Sequence, residues 1–165
     1  MRARAGHRLR QFVGALRPHV AADERVQAYR CLDAPQRRLF ESMMPRDQQH
    51  GIEVWRRVRA AAPEADAALC TAALLHDCGK GRVALWQRVA HVLLGALAPA
   101  LRRRVASETG AGWRQAFFRL LHHPEIGARM VAETGADPNV VRMIREQDAA
   151  GADERLALLQ AADEA

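Results

Sequence analysis

The chain has 165 residues, 49% of them hydrophobic, which is enough apolar material to bury the core of one domain of ordinary size. Aromatic residues make up only 5% and β-branched residues are scarce, a balance that favours helices over strands. The three cysteines are an odd number and form no CxxC pair, which argues against a disulfide framework and fits a reducing cytoplasm.

The formal net charge of +6 suits anionic partners such as nucleotides, nucleic acid or phosphate esters. Almost all of the positive charge is arginine, and Lys80 is the only lysine. The densest basic run, Arg102 to Arg104, has no interleaved aromatic residues on which bases would stack. Heavy arginine usage is also what a GC-rich coding sequence produces, so the charge alone leaves the anionic partner open, with a nucleic-acid surface the less favoured interpretation.

No segment of the sequence is predicted to enter a membrane. The N-terminus is rich in arginine but lacks the apolar core of a signal peptide. The longest apolar run, near Val92 to Leu97, is far too short to cross a bilayer and is predicted to lie in the protein core. We expect a cytoplasmic protein with no membrane partner.

The first half of the chain is predicted to form helices separated by prolines. Residues 1–45 are expected to be short helices that break at Pro18, Pro35 and Pro45. An apolar stripe is expected in the first of them, at Leu9, Phe12, Val13 and Leu16. The next helix is predicted over 46–61. Its expected inward residues are Val54, Trp55 and Val58, and its expected exposed residues are Arg56, Arg57 and Arg59.

Pro63 is predicted to open a third helix that runs to about Cys78 and stops at Gly79. Residues 65–75 of this helix are apolar almost all round, which is typical of a helix in the middle of a core. Residues 82–107 are predicted as one or two amphipathic helices, broken or kinked at Pro99.

The second half of the chain carries its own start and stop signals. A helix is predicted from Trp113 to about Leu121, and another is predicted to start at Pro124 and end at Gly135. Asp137 and Pro138 match an N-cap followed by the first helical position, and the last helix is predicted to begin at about Asp153. The boundaries of these helices are therefore set by proline, glycine and aspartate.

His76 and Asp77 lie at the inner end of the most apolar predicted helix. A buried carboxylate is costly unless it is paired or bound to a cation, and the adjacent histidine supplies a nitrogen ligand. Neighbours on a helix point about 100° apart, so both reach one ion only near a helix end, which Gly79 provides. This context favours a metal site over a His-Asp pair on a solvated turn.

Two further polar residues are predicted to face inward. His50 shares a stripe with Val54 and Val58, where an ordinary core histidine is the alternative, and Asp163 shares an apolar face with Leu156 and Leu159. Two imidazoles and two carboxylates suit a divalent transition metal such as Mn, Fe, Co, Ni or Zn, and also tolerate Mg.

These residues resemble the HD-domain metal-dependent phosphohydrolase superfamily, whose pattern is a histidine, then a His-Asp pair, then a distant aspartate. His50, the stretch from His76 to Gly81 and Asp163 match that order, and the stretch has the family's HD-x-G-K form. The segment HPEIGA, residues 123–128, is similar to one found in many members. The resemblance covers roughly residues 45–165.

The resemblance implies that His50, His76, Asp77 and Asp163 are the metal ligands. It also implies an all-α bundle of about five core helices. We expect one domain over residues 1–165, with an HD core over 46–165, a helical extension over 1–45 and inserted helices. The expected function is a metal-dependent phosphohydrolase that acts on a nucleotide or a related small molecule. The alternative is a non-catalytic module that binds a metal or nucleotide in signalling.

Asp77, Lys80 and His123 are the candidate catalytic residues. The single lysine lies beside the predicted metal site, where its ammonium would hold a substrate phosphate; the alternative is an exposed loop residue without a role. His123 precedes Pro124 at a predicted helix start and would bind phosphate or act as a general acid.

Members with two metals commonly carry further histidines where this chain has residues 144–148, so Glu146, Asp148 or His123 would have to complete a second site. The Gly-Tyr-Pro signature of cyclic di-GMP phosphodiesterases is absent, so we do not propose that substrate.

Overall fold

The computed structural model describes residues 22–150 and 153–165. Within those ranges the protein has nine α-helices, one short 3-10 helix and no strand, which confirms the all-α prediction. The helices are α1 (Ala22–Tyr29), α2 (Ala34–Ser42), α3 (Pro45–Ala61), α4 (Ala67–Leu75), the 3-10 helix (Cys78–Lys80), α5 (Leu85–Leu97), α6 (Pro99–Val105), α7 (Trp113–Ala132), α8 (Pro138–Arg145) and α9 (Glu154–Glu164). The predicted apolar stripe of residues 9–16 and the break at Pro18 lie outside the described residues.

Helix α4 forms the centre of the bundle, as its composition predicts. Every residue from Leu69 to Leu75 is buried, and the helix packs against α3, α8 and α9. The predicted start at Pro63 is wrong, because the carboxylate of Asp66 accepts a hydrogen bond from the Leu69 amide at 2.8 Å and caps the helix there. The helix ends at Leu75 with His76 as its C-cap, three residues before the predicted end at about Cys78, and the 3-10 helix follows. The His-Asp pair therefore lies at the helix end that metal binding requires.

Helices α3 and α4 approach closely at Gly51. A Cβ atom at Gly51 would lie 2.7 Å from the carbonyl oxygen of Leu74, so a larger residue would push the two helices apart. The inward residues predicted for α3, Val54, Trp55 and Val58, are all buried. The contact places His50, one residue before Gly51, against the C-terminal end of α4.

Helix α7 joins two predicted helices across a kink. The kink lies at His122, whose φ of −119° and ψ of 19° are not helical, and Pro124 follows it. Proline has no amide hydrogen, so it cannot donate to the Leu120 carbonyl four residues earlier. His123 Nδ1 lies 3.2 Å from that carbonyl oxygen and takes the place of the missing donor. The kink therefore fixes the orientation of the His123 ring, and His122 and His123 do not lie at a free helix N-terminus.

Helices α5 and α6 divide at Ala98 and Pro99, as predicted, but their apolar residues do not enter the core. None of the 13 residues of α5 is buried, and Val92, Leu93 and Leu97 are 66%, 53% and 82% exposed. The prediction that residues 92–97 lie in the core is therefore wrong. An amphipathic pattern shows which face is apolar, but it does not show whether another element covers that face.

A buried ion pair fastens α5 to α3. Arg88 NH2 lies 2.6 Å from Asp47 Oδ2, and the two side chains are only 16% and 4% exposed. We expect Arg88→Met to lower the free energy of unfolding by about 3 kcal/mol, because it leaves the Asp47 carboxylate buried without its cation. The double variant Asp47→Leu/Arg88→Met should recover most of that loss. Denaturant unfolding of the three proteins tests this, and a loss below about 1 kcal/mol for Arg88→Met would show that water screens the pair.

The remaining boundaries follow the predicted caps. Asp137 caps α8, with Pro138 at the first helical position, and Asp153 caps α9 through a 3.0 Å hydrogen bond from the Leu156 amide. Among the residues that the structure describes, no helix combines the length and the apolar character that crossing a bilayer requires.

Candidate metal centre

The four predicted metal ligands lie together where α3, the end of α4 and α9 meet. His50 Nε2 lies 2.7 Å from Asp163 Oδ1 and 3.9 Å from Asp77 Oδ2. His76 Nε2 lies 3.5 Å from Asp77 Oδ1 and 3.5 Å from Asp163 Oδ1. Donor atoms that share one transition-metal ion lie about 3 to 3.5 Å apart, because each sits about 2.1 Å from the ion. His50, His76 and Asp77 therefore lie close enough together to hold a single cation, and Asp163 lies against both imidazoles.

His76 directs a ring nitrogen without a hydrogen-bond partner into this cluster. Its Nδ1 lies 2.9 Å from the carbonyl oxygen of Ala73, which only accepts, so Nδ1 carries a proton. In the neutral ring Nε2 therefore holds a lone pair, and that buried atom has no hydrogen-bond partner among the described residues. Leaving a buried polar atom unsatisfied is costly, and an imidazole fixed by its other nitrogen is typical of metal ligands. The residues present thus fit a divalent cation.

The charges of the cluster also favour a cation. Burial alone lowers the pKa of His76, but the carboxylates of Asp77 and Asp163 outweigh it and raise the pKa overall. Burial alone raises the pKa of Asp77, yet His76, Lys80 and the neighbouring imidazoles hold it well below its usual range. The pKa of Asp163 is likewise lowered against the effect of burial, chiefly by the neighbouring imidazoles of His50 and His76. Two ionised carboxylates that attract a proton to His76 attract a divalent ion for the same reason.

Both further candidate catalytic residues lie beside Asp77. Lys80 Nζ lies 2.6 Å from Asp77 Oδ2, and His123 Nε2 lies 3.7 Å from Asp77 Oδ1. Burial and then the charge of Lys80 lower the pKa of His123, against an opposing contribution from Asp77. Four side chains therefore surround the His-Asp pair and complete a cluster of six: His50, His76, Asp77, Lys80, His123 and Asp163.

Gln147 supports the site and was missed in the sequence. Its buried side-chain amide donates to the carbonyl oxygen of His76 at 3.1 Å. Gln160 on α9 donates in turn to the carbonyl oxygen of Gln147 at 2.9 Å. These bonds link the segments that carry His76 and Asp163. The available signal was the position of Gln147, just past the end of α8, four residues after Met143 and three after Ile144, which are both buried.

Other residues near the motif have different contacts. Glu146 Oε2 accepts a hydrogen bond from Arg142 at 3.2 Å. This candidate ligand for a second metal is therefore paired with an arginine one helical turn earlier. Asp148, the other acidic candidate, is exposed.

The Cys78 thiol lies 3.7 Å from the carbonyl oxygen of Gly127, and burial followed by the charge of Asp77 raises its pKa to about 12. A neutral, buried thiol is a poor nucleophile.

An open pocket of about 610 Å³ adjoins the cluster, a volume typical of small-molecule sites. Its floor includes His50, Asp77, Lys80 and Asp163. Its cationic residues are Arg46, Arg56, Arg57, Lys80 and Arg88, and its acidic residues are Asp47, Glu53, Asp77, Asp163 and Glu164. Because a cation on Asp77 and Asp163 neutralises both carboxylates, the remaining charges make the pocket attractive to an anion.

Comparison with known proteins gives one match. A family model described as the HD domain matches residues 48–164, which is more than half of the chain and includes all six side chains of the cluster. No curated protein sequence and no solved structure matches the chain.

Proposed function

Because the chain belongs to the HD-domain superfamily of metal-dependent phosphohydrolases, we propose that it hydrolyses a phosphate ester at the centre formed by His50, His76, Asp77 and Asp163. The observation that carries the proposal is the buried lone pair of His76, directed between two carboxylates and a second imidazole. The substrate that we propose is a nucleotide or a related small molecule, because the adjoining pocket is of that size and carries five cationic side chains.

A bound divalent cation supplies Lewis-acid stabilisation of a phosphoryl oxygen and makes water a stronger nucleophile at neutral pH. The protein's own residues do the rest. Lys80, at the edge of the cluster, is placed to balance the negative charge that develops on the phosphoryl oxygens, which is the main task in phosphoryl transfer. The ring of His123, fixed through Nδ1, directs Nε2 towards the cluster and is placed to exchange a proton with substrate or water.

The proposal is tested with a panel of phosphomonoesters and phosphodiesters that includes nucleotides. The purified chain is assayed after loading with Mn²⁺, Fe²⁺, Co²⁺, Ni²⁺, Zn²⁺ or Mg²⁺. We expect release of phosphate or nucleoside that depends on the metal and is lost in His76→Ala. If no ester is hydrolysed and a nucleotide still raises the melting temperature of the loaded protein, the chain is a binding module rather than an enzyme.

Lys80 provides a sharper test of the same chemistry. We expect Lys80→Met to lower kcat by about 10- to 100-fold while bound metal stays near the parent level, because the ammonium acts on the substrate. Lys80→Arg, which keeps a positive charge, should retain more activity. Steady-state kinetics and elemental analysis of the three proteins measure both quantities. Loss of metal and activity together in Lys80→Met would instead show that the lysine only supports the Asp77 carboxylate.

A further inference from the structure

Helix α5 has an exposed apolar face that no described residue covers. We define the α5 face as Leu85, Trp86, Val89, Val92, Leu93 and Leu97. Each of these residues is at least 38% exposed. Trp86, Val89, Leu93 and Leu97 follow one another at spacings of three or four residues, so they form one continuous stripe. Contiguous exposed apolar surface of this kind marks an interaction site.

Helix α5 turns polar residues towards the bundle and apolar residues outward, which is the opposite of an ordinary surface helix. Its inner side carries Arg88, which pairs with Asp47, and His91, whose ring packs on Phe117 at a centroid distance of 5.7 Å. Arg102 on α6 reaches His91 Nε2 at 3.4 Å. Polar contacts therefore hold α5 to the bundle, and its hydrophobic residues are left for a partner.

The charged residues of the stretch that carries the α5 face are all of one sign. Between Arg82 and Ser107 the sequence contains no aspartate or glutamate. The arginines of this stretch are Arg82, Arg88, Arg102, Arg103 and Arg104. Of these, Arg82, Arg103 and Arg104 are exposed; Arg82 precedes α5, and Arg103 and Arg104 follow Arg102, which reaches back to His91 of α5. The stretch therefore combines an exposed apolar stripe with exposed charges that are only cationic.

We propose that the α5 face docks onto an anionic lipid surface. An amphipathic helix with tryptophan and leucine on one side and arginines beside it is typical of segments that lie in the plane of a bilayer interface. The arginines would meet acidic headgroups, and the stripe, about 20 Å long, would enter the boundary with the acyl chains. Interfacial docking needs no spanning segment, so it revises the expectation of no membrane partner while agreeing with the absence of a spanning helix among the described residues.

A second copy of the chain is the competing occupant, and charge disfavours it. Two copies of the α5 face in contact would bring the arginines of one chain towards those of the other, with no acidic residue of this stretch to balance them. An acidic membrane removes that repulsion. The docking proposal does not depend on the chemistry at the metal centre.

The test is cosedimentation of the full chain with vesicles made of an equal mixture of phosphatidylglycerol and phosphatidylcholine. The variant Val92→Glu/Leu93→Glu places two charges on the α5 face. The control Val26→Glu/Gln27→Glu makes the same change of net charge at exposed positions of α1. We expect the first variant to lower the partition coefficient at least about tenfold and the control less than about twofold. Arg103→Glu/Arg104→Glu should weaken binding in the same direction.

Vesicles of phosphatidylcholine alone should bind the parent chain far more weakly, and added salt should weaken its binding to the anionic vesicles. The proposal is overturned if the parent chain does not bind the anionic vesicles, or if the control variant loses as much binding as Val92→Glu/Leu93→Glu. It is equally overturned if sedimentation equilibrium shows a dimer that Val92→Glu/Leu93→Glu dissociates while vesicle binding is absent.

Discussion

Asp77→Asn is expected to lower kcat/KM for the best substrate at least about a thousandfold. The substitution removes the negative charge of the carboxylate that the neighbouring imidazoles and the ammonium of Lys80 contact. The two carboxylate oxygens lie between 2.6 and 3.9 Å from Lys80, His50, His76 and His123. An amide of the same shape keeps the packing but offers a neutral oxygen and an NH2 group, which repels a cation. Metal affinity should therefore fall together with turnover.

Asp23→Asn serves as the matched control, since it removes one carboxylate charge at an exposed position of α1. It should leave both quantities unchanged. Steady-state kinetics and calorimetric titration with Mn²⁺ measure the effects. Wild-type turnover in Asp77→Asn would mean that the reaction does not use this centre at all.

Gly79→Ala is expected to lower the free energy of unfolding by about 3 kcal/mol, the largest stability effect that we anticipate from a single methyl group. A Cβ atom at Gly79 would lie 2.1 Å from the carbonyl oxygen of His123 and 2.6 Å from the amide nitrogen of Gly127. Both are backbone atoms of α7 and cannot rotate away. The 3-10 helix would have to move from α7, and Asp77 and Lys80 would move with it.

Gly95→Ala on α5 is the control for this substitution. There the added Cβ would lie 2.6 Å from Arg102 NH1, the far end of a flexible side chain that is able to shift. Alanine also favours the helix over glycine by up to about 1 kcal/mol, so Gly95→Ala should be neutral or stabilising. Denaturant unfolding monitored by circular dichroism compares the two variants. Equal stability of Gly79→Ala and the parent would show that the 3-10 helix and α7 have room between them for a Cβ atom, contrary to the structure.

The sequence was most informative where a single residue decides local structure. Prolines and capping aspartates mark helix starts by removing or accepting a hydrogen bond, so Pro45, Pro138 and Asp153 were assigned correctly. Pro63 failed because two helix-start signals lie close together, and the carboxylate of Asp66 is the one that the backbone uses. The helix propensities of the residues do not decide between two start signals that lie this close together.

The site was predictable to the extent that its residues combine helical spacing with costly burial. His50, His76, Asp77 and Asp163 were placed inward by their periodicity or apolar surroundings, and the structure brings them together. Contacts between residues far apart in the chain have no comparable periodic pattern in the sequence. The pairing of Arg88 with Asp47 joins residues 41 positions apart, and the hydrogen bond from Gln147 to His76 spans 71 positions. Such partners are set by the packing of the whole bundle.

The measurement that tests the metal centre most directly is elemental analysis of the purified chain after exposure to each candidate divalent ion and removal of the excess. Because His50, His76 and Asp77 hold their donor atoms close together and Asp163 lies against both imidazoles, we predict about one tightly held ion per chain. His76→Ala and His50→Ala should hold far less, with circular dichroism spectra like that of the parent chain. A parent chain that retains none of these ions, or variants that retain as much as the parent, would contradict the account.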